Sequence, residues 1–328
     1  MDQLTLIICT YQRPEPILRL LKSVCAQTQL PQEILIIDGS PDNETSAVIE
    51  NFSLSNKLNG LRYTHVDPQD RGLTRQRNIG IQQARGDILA FLDDDTILDK
   101  NYFFELLACF SRHPGAVGVG GLIINEAQWL PVEQSKPNLS KFRWNNWERR
   151  DDLRWRLRKI LRLDSPLSPG WMPPFGHGRP SSYPPDGNDY PVEFIIGASF
   201  AWKQVIFTKI QFSNYFEGYG LYEDLDFSIQ ASKLGEIYLC TRAQLEHHHA
   251  PGGRPNQFKY GKMVERNGWY VWRKRWPSPS MINRVKYWLI SGLLAALRLF
   301  DFRNAGPIEA VGRLVGAISV AFDSPIKK

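Results

Sequence analysis

The N-terminal part of the chain alternates short apolar runs with longer segments of helical periodicity. Between the runs, apolar side chains recur every three or four residues, as they do from Ile17 to Val24. Strands that alternate with helices of this length predict an α/β fold with a largely parallel, doubly wound sheet. The apolar runs that we assign to strands are Leu4–Thr10, Glu33–Ile37, Leu61–Val66 and Ile88–Leu92.

Polar residues stand where three of these strands end. Thr10 and Tyr11 come at the end of the first strand, Asp38 follows the second, and Asp93–Asp95 follow the fourth. Because the carboxyl ends of parallel strands meet at one edge of a sheet, we expect these side chains to line a single ligand-binding cleft.

The three consecutive aspartates indicate a bound cation. Adjacent carboxylates repel one another, and a divalent cation would neutralise them together with the phosphates of a nucleotide diphosphate. We assign Asp95 to the metal, and Asp93 and Asp94 to the ribose or to water ligands of the metal. A solvated acidic turn is the alternative interpretation of the same residues.

A second acidic cluster lies in the segment GYGLYEDLDFS, where Glu223, Asp224 and Asp226 are closely spaced. The glycines before them favour a loop that delivers a carboxylate into a cleft. The alternative is that these carboxylates only complement the positive end of a helix dipole.

Basic and aromatic residues supply further candidates. Strand alternation puts His247 and His249 on the same side, so one of them could complete a metal site. Arg71 and Arg75, in RGLTRQRN, could reach nucleotide phosphates or be ordinary surface arginines. Tyr11 could stack on a base or close the strand end by core packing.

The middle of the chain, Trp129–Tyr190, is rich in Pro, Gly, Trp and Arg and has little periodicity outside Asp151–Leu163. We interpret it as an insertion or flap near the acceptor side of a site. Helical spacing returns in Phe216–Leu234, and Glu236–Cys240 is predicted to be a last short strand. We therefore expect a catalytic domain over residues 1–250, with the insertion over residues 129–190, and a helical extension over residues 251–328.

Composition restricts the partners and the compartment. The 328 residues carry a formal net charge of +6, which allows a nucleotide, a phospholipid surface or nucleic acid as an anionic partner and does not choose among them. Four cysteines lie far apart without a C-x-x-C pair, which is typical of reduced core residues in a cytosolic protein. The N-terminus has no basic region and no cleavage-like site, so we expect a first strand rather than a signal peptide.

The C-terminal segment predicts contact with a membrane surface. Tyr287–Phe300 would form a helix of only about 21 Å, which is too short to cross a hydrocarbon core of about 30 Å. Packing on the catalytic domain or in a homodimer interface is the alternative. Basic residues interleaved with tryptophans suit anionic headgroups, and the stretch Lys141–Arg162 could add a second contact. These residues are Arg273, Lys274, Arg275, Arg284 and Lys286, with Trp269, Trp272, Trp276 and Trp288.

The motifs together resemble a known family. The segments LTLIICTYQRPEPILRLLKSVCAQT, EILIIDGSPDN, RNIGIQQARGDILAFLDDDTIL, GASFAWKQ and GYGLYEDLDFSIQ look like the family-2 glycosyltransferases of the GT-A fold, over roughly Leu4–His249. The resemblance implies an inverting transferase that uses a nucleotide-activated sugar and Mn²⁺ or Mg²⁺. Two departures are the Asp-Gly-Ser after the second strand, where a double aspartate is commoner, and the length of the insertion.

The same resemblance implies roles for individual residues. It makes Asp93–Asp95 the D-x-D motif and Asp224, in the E-D pair, the base. It directs four residues to the nucleoside, and one histidine of the run His247, His248 and His249, most simply His247, to the metal or the diphosphate. The nucleoside-facing residues would be Thr10, Tyr11, Arg13 and Asp38.

The expected function is transfer of a sugar to a hydroxyl of a glycan or a lipid-linked acceptor in polysaccharide biosynthesis. We expect a cytoplasmic enzyme, peripheral on the cytoplasmic face of the membrane, without a nucleic-acid partner. A metal-dependent nucleotidyltransferase would need a glycine-rich, lysine-bearing phosphate loop, which ICTYQRPEP is not. A non-catalytic sugar-binding or scaffold protein is the other alternative, and retention of both acidic motifs counts against it.

Overall fold

A computed structural model describes residues 2–56, 60–132, 138–216, 218–250, 252, 255–302 and 305–322, with the side chains of residues 55 and 56 left out. Contacts divide the chain into two compact units, and each combines two separate segments. The first unit is Met1–Ala127 with Ser181–Gly253, and the second is Gln128–Pro180 with Arg254–Lys328. Most of the predicted insertion and the predicted C-terminal extension therefore belong to the same unit.

The strands, in chain order over the described residues, are β1 (Leu4–Thr10), β2 (Glu33–Asp38), β3 (Leu61–His65), β4 (Ile88–Asp93), β5 (Thr96–Leu98), β6 (Ala116–Ile123), β7 (Trp129–Pro131), β8 (Lys141–Trp144), β9 (Trp147–Arg150), β10 (Asp189–Val192), β11 (Ser199–Lys203) and β12 (Glu236–His247). The helices are α1 (Pro14–Cys25), α2 (Glu44–Asn56), α3 (Leu73–Gln83), α4 (Tyr102–Arg112), α5 (Leu153–Ile160), α6 (Glu223–Ala231), α7 (Gln257–Arg275), α8 (Met281–Leu299) and α9 (Gly306–Phe322). Short 3₁₀ turns cover Pro68–Asp70 and Gln204–Thr208.

The main sheet of the first unit is mixed. Its strand order is β10-β12-β6-β11-β4-β1-β2-β3, and β5 pairs with β12. The segment β4-β1-β2-β3 is parallel, as the alternation of strands and helices predicts. However, β11 lies antiparallel between β4 and β6, so the expected largely parallel sheet is interrupted there.

The core of the first unit explains its strands and helices. On β1, β2 and β4 nearly every side chain is buried, because helices cover both faces of a doubly wound sheet. Helix α1 buries Ile17, Leu20, Leu21 and Val24 at helical spacing. In α3, a Cβ at Gly80 would lie only 2.6 Å from Cγ2 of Ile7, so glycine allows that helix to approach the sheet closely.

The prediction of a short last strand, Glu236–Cys240, was wrong. The strand β12 continues to His247, past an irregularity between Cys240 and Gln244 where its register against β6 shifts. Such a bulge breaks the alternation of side chains from which strands are recognised. The extension carries the histidine run to the edge of the sheet where β4 ends, because β12 pairs there with β5.

The second unit contains a small sheet and helices. Strands β7, β9 and β8 form an antiparallel sheet, which the sequence did not predict. Arg179 is buried between the rings of Phe142 and Trp155 and binds Asp151 at 2.8 Å and Asp164 at 2.7 Å. Pairing with two carboxylates is what allows a guanidinium to be buried there.

The helix predicted over Tyr287–Phe300 is longer than expected. Helix α8 begins at Met281, after Ser280, whose hydroxyl accepts a hydrogen bond from the backbone N–H of Asn283. Trp272 is fully buried and donates its indole N–H to the carbonyl oxygen of Pro174, so it is not available to a membrane interface. Within the described residues, no helix combines the length and apolar character needed to cross a bilayer.

Candidate active site

The predicted edge of the sheet is present in the structure. In the parallel register Thr10 lies opposite Asp38, and Cys9 lies opposite Asp93, so the ends of β1, β2 and β4 meet. Apolar strands that end together therefore bring the polar residues of three distant segments to one place.

Asp94 is the most enclosed of the three consecutive aspartates. It accepts hydrogen bonds from Thr10 Oγ1 at 2.7 Å and from Arg13 at 2.8 Å. Burial disfavours its charged form and outweighs the attraction of Arg13, so the pKa of Asp94 rises to about 6. Asp94 therefore holds Thr10 and Arg13 at the cleft.

Asp95 is held in its charged form. Burial alone would raise its pKa, but the His247 imidazole and the backbone N–H of Ala250 lower it to about 2. The Ala250 N–H donates to Oδ2 at 2.7 Å. The other oxygen, Oδ1, is buried, has no hydrogen bond of good geometry among the described residues, and lies 3.1 Å from Nε2 of His247.

These residues fit a divalent cation. Ligand atoms of Asp93, Asp95 and His247 all lie within 4.8 Å of one another. Carboxylate oxygens with an imidazole nitrogen suit Mn²⁺, and carboxylates with water suit Mg²⁺. The buried Oδ1 of Asp95 is the kind of atom that a cation would satisfy. Asp93, whose side chain is 33 % exposed, leaves the site open to solvent or a ligand.

Two residues that the sequence did not single out hold His247 in place. Asn125 exchanges hydrogen bonds with the backbone of His247, both at 2.9 Å. Glu126 lies 3.0 Å from the ring Nδ1, which directs Nε2 towards Asp95. A carboxylate on the far nitrogen of a metal-binding histidine fixes the orientation of its ring. Burial lowers the pKa of His247, but the carboxylates of Asp95, Glu126 and Asp93 raise it. The net effect is a rise in the pKa of His247 to about 10.

The neighbouring histidines have other contacts. His249 Nε2 lies 3.0 Å from Glu126, and the rings of His247 and His249 are 4.0 Å apart between centroids, so these two do lie together. His248 instead contacts Glu246 at 2.9 Å. Of the three, His247 is the one within reach of Asp93 and Asp95.

Arg77 connects the two acidic motifs. Its guanidinium is buried, forms an ion pair with Glu223 and lies 3.7 Å from Asp93. It also donates to the carbonyl oxygen of Gly197 at 3.2 Å and lies over the ring of Phe200. Arg77 is the third arginine of RGLTRQRN, and nothing in the sequence distinguishes it from a surface arginine.

Asp224 occupies a backbone cradle at the start of α6. Its carboxylate accepts hydrogen bonds from the N–H groups of Gly197 at 2.9 Å and Leu225 at 2.7 Å. Burial nevertheless raises the pKa of Asp224 above its usual value, and Asp93 adds to the rise. Burial and the charge of Asp224 raise the pKa of Glu223 to about 8 against the effect of Arg77.

The alternative interpretation of the second acidic cluster is also present in the structure. Glu223, Asp224 and Asp226 all lie in the first turn of α6, where negative charge is favoured by the helix dipole. Asp226 is buried and accepts a hydrogen bond from Gln230, away from the backbone groups that hold Asp224. Asp224 can therefore both complement the helix dipole and act in the cleft.

A cavity of about 330 Å³ opens beside these residues, entirely within the first unit. Tyr11 is 38 % exposed there, which supports contact with a ligand rather than core packing. Predicted site residues supply half of the described lining. The lining residues are Cys9, Thr10, Tyr11, Arg13, Arg71, Gly72, Leu73, Gln76, Asp93, Asp94, Gly218 and Tyr219.

Three residues that we predicted to bind the nucleotide-sugar, Asp38, Arg75 and Glu223, are not among the described lining residues of this cavity. Asp38 is fully buried, and its oxygens accept hydrogen bonds from Tyr63 at 2.7 Å and from Ser40. Arg75 hydrogen-bonds to the carbonyl oxygen of Gln69. The proposed contacts of these three residues with a nucleotide-sugar stay predictions.

The chain shares its fold with glycosyltransferases of the GT-A type. The sequence model of Glycosyl transferase family 2 matches residues 5–167, and this part of the chain belongs to that family. The resemblance stated from the motifs is thus confirmed. A mannosyltransferase from Pyrobaculum calidifontis, solved in complex with GDP-Man and Mn²⁺, shares the fold with a TM-score of 0.58 at 13 % identity, over 99 % of this chain and 88 % of its own.

Curated relatives match about a third of the chain. A glucosyl-dolichyl phosphate glucuronosyltransferase of Haloferax volcanii is 27 % identical over 124 residues, which are 37 % of this chain and 38 % of the relative. A poly(ribitol-phosphate) β-N-acetylglucosaminyltransferase, TarS, of Staphylococcus aureus is 27 % identical over 116 residues, which are 34 % of this chain and 20 % of the relative. The matches thus span well under half of each relative's length.

Proposed function

We propose that the protein is an inverting, metal-dependent glycosyltransferase of the hexosyltransferase type, which transfers a sugar from a nucleotide-diphosphate sugar to a hydroxyl group. The observation that carries this proposal is Arg77, which joins the metal-binding constellation around Asp93 to the E-D pair at Glu223. One residue thereby keeps a diphosphate site and a candidate base beside each other.

The donor would bind in the cavity of the first unit. Tyr11 offers an aromatic face for a base, and Asp94 positions Thr10 and Arg13 at the cavity wall. Arg71, which also lines the cavity, offers a guanidinium to the phosphates. We assign the catalytic role to the first unit on this basis, so the domain predicted over residues 1–250 would be interrupted by residues 128–180.

Asp93, Asp95 and His247 would hold a divalent cation, Mn²⁺ or Mg²⁺. When bound, the cation neutralises the diphosphate and so favours its departure. The pKa of Asp95 is lowered to about 2, so this carboxylate is charged and able to bind a cation at neutral pH.

Asp224 would take the proton of the acceptor hydroxyl. The N–H groups of Gly197 and Leu225 fix the carboxylate in one orientation, which general-base catalysis requires. Attack on the anomeric carbon from the side opposite to the departing diphosphate, in a single displacement, would invert its configuration. Glu223 is paired with Arg77, so its role would be to orient that guanidinium and not to exchange protons.

The acceptor would be a glycan or a lipid-linked sugar in polysaccharide biosynthesis, at the cytoplasmic face of a membrane. The relative from Haloferax volcanii, whose name states a glucosyl-dolichyl phosphate acceptor, supports a lipid-linked substrate. The chain has an excess of basic residues, with a net charge of +6, which supports binding of the enzyme to an anionic membrane surface.

A donor panel tests the proposal. Purified full-length protein is incubated with UDP-, GDP- and dTDP-sugars, with Mn²⁺, with Mg²⁺ or with a chelator, and release of the nucleoside diphosphate is measured. We expect release from one donor class only when a cation is present. Release of inorganic pyrophosphate from a sugar 1-phosphate and a nucleoside triphosphate would instead establish a nucleotidyltransferase. Binding of a donor without turnover on any acceptor would establish a sugar-binding protein.

A further inference from the structure

Helix α9 carries its charged residues on the buried side. Glu309 and Arg313 are the charged residues of this helix, and both are buried. Arg313 pairs with Glu309 at 2.8 Å and with Glu265 of α7 at 3.5 Å. The helix therefore satisfies its charges inside the second unit, where soluble helices normally place apolar side chains.

Glycines let α7 and α9 approach closely enough to enclose these charges. A Cβ at Gly261 would lie 2.1 Å from the carbonyl oxygen of Glu309, and one at Gly312 would lie 2.2 Å from that of Phe258. The contact between the two helices thus depends on small residues and ion pairs, while larger apolar side chains of α9 lie elsewhere.

Those apolar side chains face outward. The exposed positions of α9 fall at helical spacing and are all apolar, and α8 exposes large apolar side chains in its first half and at its end. The exposed large apolar residues of α9 are Ile308, Val311, Leu314, Val315, Ile318 and Phe322. Those of α8 and the residues after it are Met281, Ile282, Val285, Leu289, Leu299, Phe300 and Phe302. We call these residues together the outer face; an apolar face of this size is typical of an interaction surface.

The charge around the outer face distinguishes between its partners. Residues 255–322 contain eleven Lys and Arg residues and three acidic ones. The three acidic residues, Glu265, Asp301 and Glu309, are all paired with arginines of the same unit. A second copy of this face would bring a like charge against it, whereas a layer of anionic lipid headgroups is complementary.

We propose that the outer face of α8 and α9 docks on an anionic lipid surface, with its apolar side chains at the headgroup boundary and the basic residues on the headgroups. Basic residues of the same segment include Arg273, Lys274 and Arg275 at the end of α7, and Arg284 and Lys286 in the first turns of α8. This inference deepens the proposed function, because it assigns the membrane contact to a particular surface. Only the link to a lipid-linked acceptor rests on the proposed function.

Flotation of the full-length protein tests the proposal. Vesicles of phosphatidylcholine with phosphatidylglycerol are compared with vesicles of phosphatidylcholine alone. We expect binding to the anionic vesicles, reduced by salt, and a loss of at least about tenfold in the double variant Leu289→Gln/Ile318→Gln, which removes apolar side chains from exposed positions without changing charge. The variant Lys274→Gln/Arg284→Gln should lose about tenfold on anionic vesicles.

A matched control separates the outer face from exposed apolar residues in general. Val205 is 63 % exposed in the first unit, and Val205→Gln should bind vesicles like the unchanged protein. Light scattering on the same samples measures oligomeric state. Failure to bind anionic vesicles, or a dimer that the Leu289→Gln/Ile318→Gln variant dissociates, would overturn the proposal. Donor turnover is measured without vesicles and tests the proposed function alone. Failure of the membrane proposal can therefore be distinguished from failure of the proposed function.

Discussion

His247 Nε2 lies 3.1 Å from Asp95 Oδ1, although 152 residues separate them in the chain. The contact exists because β12 runs on to His247 and pairs with β5, which follows the aspartates directly. The strand pairing thus sets the distance between a carboxylate and an imidazole, which a flexible loop would leave variable.

Replacement of Asp224 tests the candidate base. Gly197 and Leu225 donate to different oxygens of Asp224, so Asp224→Asn keeps an acceptor for one of the two N–H groups and cannot take the acceptor's proton. We expect sugar transfer to fall by at least about a hundredfold while donor and Mn²⁺ binding stay nearly unchanged. Single-turnover transfer and calorimetry measure the two quantities. Transfer at the original rate would remove Asp224 from this role.

The pH dependence of transfer follows from the same residue. The pKa of Asp224 is raised, chiefly by burial, so the carboxyl is protonated at pH values where an exposed aspartate is already charged. Because the base must be ionised, kcat/KM should fall as pH decreases through this raised pKa. The midpoint of the acidic limb should therefore lie above 3.8, which is the ordinary pKa of an aspartate. A limb at or below that value would contradict the assignment.

Loss of a metal ligand should affect donor binding itself. In Asp95→Ala the cation loses a carboxylate whose pKa is lowered to about 2, so we expect Mn²⁺-dependent binding of a nucleoside diphosphate to weaken by at least about tenfold. Calorimetry with and without Mn²⁺ measures the effect. Asp99→Ala, a change four residues further along, is the control. Equal Mn²⁺-dependent binding in both variants would count against the metal site.

Glu126 should act through His247. Glu126→Gln removes the carboxylate that faces Nδ1 of His247, and we expect Mn²⁺ affinity to fall by about ten- to a hundredfold. Glu246→Gln is the matched control, because Glu246 contacts the neighbouring His248 instead. Mn²⁺ binding by electron paramagnetic resonance gives a readout independent of turnover. If the two variants bind Mn²⁺ alike, Glu126 does not position His247.

Arg77 should matter for stability as well as for activity. Arg77→Met leaves Glu223 buried without its partner, and we expect a loss of about 3–5 kcal/mol in the free energy of unfolding. The double variant Arg77→Met/Glu223→Gln should recover part of that loss, because no buried charge is then left unpaired. Arg75→Met, on the same helix, should cost much less in urea unfolding. A loss that the double variant does not reduce would argue against the ion pair as its cause.

Sequence reasoning found the strands whose patterns are local. The apolar runs at Leu4–Thr10 and Ile88–Leu92 are long enough to identify β1 and β4, and the expectation that Thr10 and Asp93 lie at one edge of the sheet agrees with the structure. It did not find β5 or the sheet of β7 to β9, because strands of three or four residues show no recognisable period.

The missed site residues depend on contacts between distant segments. Glu126 follows β6 in an irregular segment, and only the pairing of β12 with β6 brings it to His247. Arg77 resembles Arg75 and Arg71 in sequence, and only the packing of α3 shows that it is the buried one. Pairing partners such as these are properties of the tertiary structure.

Gly197 has no side chain, and the space around it leaves little room for one, which restricts the substitutions possible at this position. A Cβ at this position would lie 3.0 Å from Oε1 of Glu223, 3.1 Å from Cβ of Asp224 and 3.3 Å from a guanidinium nitrogen of Arg77. Any mutation there moves the base and its neighbours together. Libraries intended to alter acceptor choice should therefore keep codon 197 fixed and diversify positions that do not touch all three groups.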